Sequence, residues 1–314
     1  MTRLLTILRS PITRWTFLAV ALGFAVWFVW ANAAQIGAAL AQLDARFLIA
    51  ALAASVVYVL MTMEAWRQVV RDLGHRLTFR SSIPLFGISQ LGKYIPGGVW
   101  NIAAAAELGR AHGIPARHSV AAMTIALLVS IVSGAAIGAV GFLVSPAPLF
   151  AQWGWVFWVA VPLVVLLVPP VMNRAVALAW RLARLAPLDT RTTLGGVSRV
   201  TAWSAAGWIV AGGSVALLAI GMGAPATWLT VAQCVGGYAL AWVVGFLFVI
   251  APAGAGVREL VLAACLVGTV DEGAVVAIVL ISRLLLTAVD LALAGVGAID
   301  TRIVRARSGK RTTA

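Results

Sequence analysis

Three cations interrupt segments that are otherwise apolar: Lys93 in SQLGKYIPGGVWN, Arg258 in FVIAPAGAGVRE and Arg283 in VLISRLLLTAV. Arginine's planar fork suits bidentate contact with phosphate, and lysine adds a compact point charge. A charge at the centre of a bilayer costs about 2.5–3.5 kcal/mol on the lenient insertion scale, so three left bare would cost roughly 8–10 kcal/mol. That is the size of a domain's whole net stability. The three must therefore be paired, hydrated or bound to a ligand. The nearby anions are Glu259, Asp290 and Glu107, with Glu259 a natural partner for Arg283 or Arg258. A positive excess remains, and it points to an anion site at mid-depth, wide enough for a phospholipid head group. The competing reading is a closed Arg283–Glu259 pair with Lys93 and Arg258 snorkelling to the interface.

Both motifs are helix breaks. Pro96 and Pro252 are each followed two positions on by a glycine, Gly98 and Gly254, with Gly97 and Gly256 beside them. Proline removes a backbone donor and clashes with the preceding turn, and glycine admits backbone geometry closed to other residues. In lipid, a freed backbone is tolerated only where it faces protein or a water-filled cavity. Helices restarting after the breaks would aim N–H donors at an anion. Trp100 and Asn101 follow the first break, where they contact a head group or cap and anchor the next helix.

Composition sets the class. The chain of 314 residues is 62% hydrophobic and 11% charged, against roughly 45–50% and 25% in soluble domains. Several uncharged runs are long enough to cross a bilayer. The net charge of +13 does not indicate nucleic acid, because the cations fall in alternate connections, as membrane topology requires. Cys234 and Cys265 lie in apolar segments and read as packing residues. His75, His112 and His118 sit in basic loops. No metal motif, catalytic carboxylate pair or cofactor box emerges, so neither enzyme activity nor a cofactor is expected.

The fold expected is all-α: a polytopic membrane protein forming a single domain over 1–314, with about six full spans and two broken or re-entrant segments. The first span runs from Trp15 to Trp30. An ANA triplet at Ala31–Ala33 resembles a cleavage site, but the bulky Trp27, Phe28 and Trp30 favour an uncleaved span. Further spans run from Phe47 to Met63, Ser119 to Val144, Trp153 to Val171, Thr201 to Met222 and Ala274 to Ala298. The first broken segment occupies Ile83–Ala106 and the second lies within Trp228–Val270. Residues 173–199 form a cytoplasmic linker whose Trp180, Leu182 and Leu185 suggest a surface-lying helix, and 300–314 a basic cytoplasmic tail. Of the 23 Lys and Arg, all but Arg46 and the three intramembrane cations fall on one side of this arrangement. That side is cytoplasmic by the positive-inside rule. Both flanks of the first break are basic, which favours a hairpin returning to the face it entered. The two breaks then enter from opposite faces, and units 83–144 and 237–298 form an inverted repeat, as in transporters with a site between repeats.

GKYIPGGVWN at Gly92–Asn101, PAGAGVRE at Pro252–Glu259 and SRLLLTAVD at Ser282–Asp290 together resemble the lysylphosphatidylglycerol synthase transmembrane-region family, also called flippase-like domains. The resemblance covers roughly Val20 to Ala298. It implies helical membrane proteins with re-entrant segments that move lipids or lipid-linked head groups between leaflets. It also implies that Lys93, Pro96, Gly97, Gly98, Pro252, Gly254, Gly256, Arg258, Glu259 and Arg283 line a cavity. The synthases carry a soluble transferase domain after the membrane region. Here a short basic segment follows, so synthase activity is not expected. The resulting expectation is a lipid flippase or scramblase of a bacterial-type inner membrane, with both termini cytoplasmic. Its ligand is an anionic phospholipid or lipid-linked head group, and its protein partners are a second copy or a synthase or transferase. The alternatives are an ion-coupled small-anion transporter, in which Glu259 or Asp290 relays protons, and an accessory protein in lipid-linked sugar metabolism.

Overall fold

The computed structural model describes residues 33–94, 100–143, 162–182, 188–189, 191–248, 254 and 256–311, with Gly23, Trp30 and Trp158 besides. The described residues are overwhelmingly helical, with one isolated bridge between Val267 and Val270. Among the described residues, five helices are long and apolar enough to cross a membrane: α2 (Ala45–Asp72), α5 (Ala116–Leu143), α7 (Leu194–Gly221), α8 (Trp228–Leu247) and α10 (Glu272–Arg311). A short α1 (Ala33–Gln42) precedes them. Most of the expected first span, residues 153–157 and 159–161 of the span from Trp153 to Val171, and Pro96, Gly97, Gly98 and Pro252 lie outside the described residues.

α2 and α7 form an antiparallel frame. Each has 28 residues, about 42 Å at 1.5 Å per residue. The Ser55 hydroxyl lies 3.1 Å from that of Ser214, and Ser214 donates to the Ala51 carbonyl at 2.9 Å. At the far end of α2, Asp72 accepts from the Thr193 backbone N–H at 2.8 Å and its hydroxyl at 2.6 Å, while Thr193 caps α7. α2 runs nine residues past the expected Met63. Its polar last turns are sustained by Glu64, which takes two hydrogen bonds from Arg67 at 2.7 and 2.9 Å, while Arg67 reaches on to the Leu77 carbonyl.

The first broken segment is a hairpin of short helices, α3 (Phe79–Gln90) and α4 (Trp100–Arg110), with a 3₁₀ turn at Leu91–Tyr94. The legs touch near the tip, where a Cβ on Gly92 would sit 2.2 Å from the Asn101 nitrogen. Their 12 and 11 residues reach about 18 and 16 Å, well short of the ~30 Å hydrocarbon core. At the base of this hairpin, His75 Nε2 lies 2.6 Å from His118 Nδ1, joining the incoming and outgoing chain. His118 thus belongs to the first turn of α5 rather than to a loop.

The second broken segment is unequal. One leg is the full-length α8; the other is α9 (Val257–Leu266), of 10 residues. The chain returns tightly, with Gly254 (φ +68°) against the backbone of Gly245 and Gly256 (φ +85°) starting α9.

α10 runs between the hairpins. Near its start it follows the base of the α8–α9 hairpin. Near Asp300 it meets the base of the α3–α4 hairpin, where Arg80 pairs with Asp300 at 2.8 Å. The open ends of the two hairpins therefore lie toward opposite ends of α10. The linker helix α6 begins at Pro169 and runs to Leu182, since proline suits the first helical turn. Trp180 is buried with Met172 and Val176, while Leu182 is exposed. Trp180 is thus an inward anchor and not part of a surface-lying face; Leu185 lies outside the described residues.

Helix contacts depend on small residues. A Cβ on Gly236 would sit 2.5 Å from the Gly141 Cα where α5 crosses α8, and one on Gly297 would sit 2.5 Å from the Pro84 Cα where α10 crosses α3. In lipid, close packing replaces the hydrophobic drive between helices. Gly236→Ala should lower stability by about 1–3 kcal/mol through overpacking. Gly213→Ala, with nothing within 4 Å of its site, should leave it unchanged. Thermal unfolding in detergent checks this, and equal midpoints for the two variants would count against the α5–α8 packing.

Candidate functional site

Both hairpin tips end against the middle of α10, where its Arg283 and Asp290 stand seven residues apart, about 10 Å along the axis. The Lys93 ammonium meets Asp290 Oδ2 at 2.6 Å, and the Tyr94 hydroxyl donates to the same oxygen at 2.7 Å. Asp290 is 1% exposed. From the other tip, Glu259 accepts from Arg283 Nη1 at 2.5 Å and, through its second oxygen, from the Gly256 backbone N–H at 2.6 Å. The second contact satisfies the backbone donor just before α9, so one carboxylate both caps the helix start and pairs with Arg283. Arg258, next along α9, donates to the Tyr238 hydroxyl at 2.5 Å and stacks over its ring at 4.8 Å.

A cavity of about 160 Å³ lies between these groups. Lys93, Asn101, Gly254, Arg258, Arg283 and Asp290 line it. Of the other expected residues, Glu259 reaches the site through Arg283. Gly256 is the exposed residue that caps the start of α9. Trp100 packs against Gly92, supporting the hairpin tip rather than the cavity wall. Asn101 accepts from the Ile102 backbone N–H at 2.9 Å while facing the cavity. Arg283 does form the closed pair with Glu259, but Lys93 and Arg258 point at the same cavity rather than snorkelling away.

Sequence reasoning missed the aromatic half of the site. The chain has only three tyrosines, and all three, Tyr58, Tyr94 and Tyr238, line the cavity. Trp208 and Trp242 continue the wall, with ring centroids 5.1 Å apart, and Trp242 stacks on Phe246. A signal was present: a phenol in an apolar segment needs a partner for its hydroxyl when buried, so rare intramembrane tyrosines mark polar company. Thr287 was also missed. It sits one turn beyond Arg283, donates to the Arg283 carbonyl at 2.9 Å and lies 3.4 Å from the Tyr94 hydroxyl.

The architecture and the charged centre define a multi-pass helical membrane protein with a polar cavity. The pattern of the family described as lysylphosphatidylglycerol synthase TM region matches residues 16–294. The chain belongs to that family, whose description ties it to lipid metabolism in the membrane. No curated protein matches the chain.

The ion pair on the second tip can be tested directly. Removing one partner of a buried pair strands the other charge and costs about 3–5 kcal/mol, whereas replacing both with apolar residues is often close to neutral. Glu259→Leu should therefore destabilise the protein strongly, and Glu259→Leu with Arg283→Leu should recover most of the loss. Thermal unfolding of the four combinations measures it; additive losses would show that the pair contributes no coupling.

Proposed function

We propose that the protein is a non-enzymatic lipid translocase. The head group of an anionic phospholipid or lipid-linked compound would enter the cavity while its chains stay in the bilayer. The observation that carries this reading is the engagement of Arg258. Three cations share the site with two carboxylates; Glu259 serves Arg283 and Asp290 serves Lys93. Arg258 holds a neutral phenol and its ring instead. Its remaining N–H donors at the cavity suit a phosphate, which would balance the excess charge.

The two hairpins are the re-entrant arms of this reading. Their opposed open ends, and the short legs of the first hairpin, support entry from the two faces and an inverted repeat, with transport by rocking of one arm against the other. The end of the bundle carrying Arg71, Arg76, Arg80, Arg110 and Arg117 is cytoplasmic by the positive-inside rule. α10 finishes at that end, which supports a cytoplasmic C-terminus in a bacterial-type inner membrane. The site offers charge, hydrogen bonds and an aromatic wall, which serve holding and passing a head group rather than making or breaking a bond.

The test is leaflet exchange of fluorescent phosphatidylglycerol in proteoliposomes. A hydrogen bond to a charged group contributes about 1.5–3 kcal/mol, so Arg258→Gln should slow exchange by roughly 10- to 100-fold. A folded Arg258→Gln protein exchanging lipid at the wild-type rate would overturn the reading. Uptake of soluble inorganic phosphate with no lipid exchange would make the protein a small-anion transporter instead.

A further inference from the structure

The tip of the first hairpin is built to accept two protonation states of one carboxylate. Asp290 is 1% exposed and lines the cavity on α10. Its Oδ2 receives both the Lys93 ammonium and the Tyr94 hydroxyl. Lys93 comes from a different segment and retains 36% side-chain exposure, so it is the accessible partner of a buried anion. A phosphate in the cavity competes with Asp290 for that ammonium. Once Lys93 turns to the phosphate, a buried carboxylate has lost its counter-charge, an arrangement that is costly until something replaces it.

Hydrogen bonding around Asp290 provides for this change. The Tyr94 oxygen stands 2.7 Å from Asp290 Oδ2 and 3.4 Å from Thr287 Oγ1, but its single hydrogen can be donated to only one of them at a time. Thr287 spends its own hydrogen on the Arg283 carbonyl, which leaves its oxygen lone pairs able to accept. With Asp290 ionised, Tyr94 donates to it. With Asp290 protonated, the new Asp290 O–H donates to Tyr94, and the Tyr94 hydrogen turns to Thr287. Each group then keeps a partner in both states. Intramembrane carboxylates with such partners are the usual carriers of protons in transporters.

We propose that Asp290 is a proton-binding site coupled to phosphate occupancy: phosphate draws Lys93 away, and Asp290 takes up one proton from cavity water. The step is Asp290 carboxylate plus a proton giving the carboxylic acid, with no other bond made or broken. The charged and titratable groups facing Asp290 are Lys93 and Tyr94 on the hairpin tip, Arg283 on its own helix and Arg258 on α9, together with Tyr58 of α2 and Tyr238 of α8. The walls from α5 and α7 supply Ser130 and Ser204, which do not titrate. The inference rests on the phosphate site proposed above and adds a second cargo, the proton.

The experiment is calorimetric titration of the purified full chain with dihexanoyl phosphatidylglycerol in buffers of different ionisation enthalpy. The phosphodiester of this probe does not titrate near neutrality, so the buffer dependence counts protons taken up by protein. Wild type should take up about one proton per lipid bound, in line with a single carboxylate losing its cation. Asp290→Asn, nearly isosteric but unable to titrate, should bind with no uptake. Tyr94→Phe keeps the Lys93–Asp290 pair and removes the acceptor for the new O–H, so uptake should fall while binding persists. Lipid binding to wild type with no proton uptake, or with uptake undiminished in Asp290→Asn, would overturn the proton site and leave the lipid reading intact. Failure of wild type to bind the probe, or full binding by Arg258→Gln, would count against the phosphate site and this inference together.

Discussion

A charge removed from water must find a counter-charge or a hydrogen-bonded partner nearby, and this requirement organises the centre of the molecule. Arg283 and Asp290 sit on one helix at a depth where bare charges are costly. Their partners come from opposite directions: Glu259 on one hairpin and Lys93 on the other. Each pair fixes a hairpin tip that its own short helices would hold poorly. α10 is therefore both a span and the bar to which the two tips are tied. Such pairs are weak sources of net stability, since desolvation offsets much of the attraction. What they supply is position: both tips are held beside one cavity, with Arg258 stacked on Tyr238 between them.

Around that centre, packing follows the membrane rule of small residues at crossings. Gly141 against Gly236, Gly297 against Pro84 and Gly245 against Gly254 let backbones approach closer than any larger side chain allows. The frame of α2 and α7 is joined by serine hydroxyls and by the Asp72 cap on α7. The hairpins have no comparable frame of their own. The first leans on α10 and α5, with the His75–His118 contact closing its base, while α8 packs on α5 and α7 and carries the short α9 against α10. Rigidity is thus concentrated in the long helices, and the tips depend on a few polar contacts that a ligand can challenge.

Much of this was legible in the sequence, because lipid imposes harsh rules on local composition. Long uncharged runs announced the spans, and proline with glycine beside a cation announced both breaks. The cost of bare charge required Lys93, Arg258 and Arg283 to be engaged. Glu259 was expected to serve Arg283 or Arg258, and the sequence alone did not choose between them. Glu259 neighbours Arg258 in sequence, yet helical geometry turns adjacent side chains about 100° apart, and Glu259 pairs instead with Arg283 across two helices. Lys93 and Asp290 come together only through the antiparallel seat of α3 on α10, a tertiary fact without local signature. The length of α2 was missed because Glu64 and Arg67 look like a loop until they are seen pairing on one helical face. The second break looked like a copy of the first, but α8 runs to full length. Its last turns keep the apolar pattern of a span, and the break falls only at the glycines that follow.

The two ion pairs are not independent, because α10 carries one member of each. A helix transmits displacement along its axis with little give, since every turn is held by backbone hydrogen bonds and packed side chains. If the first tip releases Asp290, α10 is freed at one anchor while Glu259 still holds it at the other. The reverse holds when Arg283 is released. Simultaneous release of both would strip Arg283 of its carboxylate and Asp290 of its ammonium, with the two about 10 Å apart, too far to satisfy each other by hydrogen bonds. That state is penalised more than either single release, which favours alternation between the tips. Alternation of two arms around a fixed site is the elementary requirement of a carrier that never opens to both sides at once. Under the translocase reading proposed above, the placement of Arg283 and Asp290 two turns apart on a shared helix would supply that coupling.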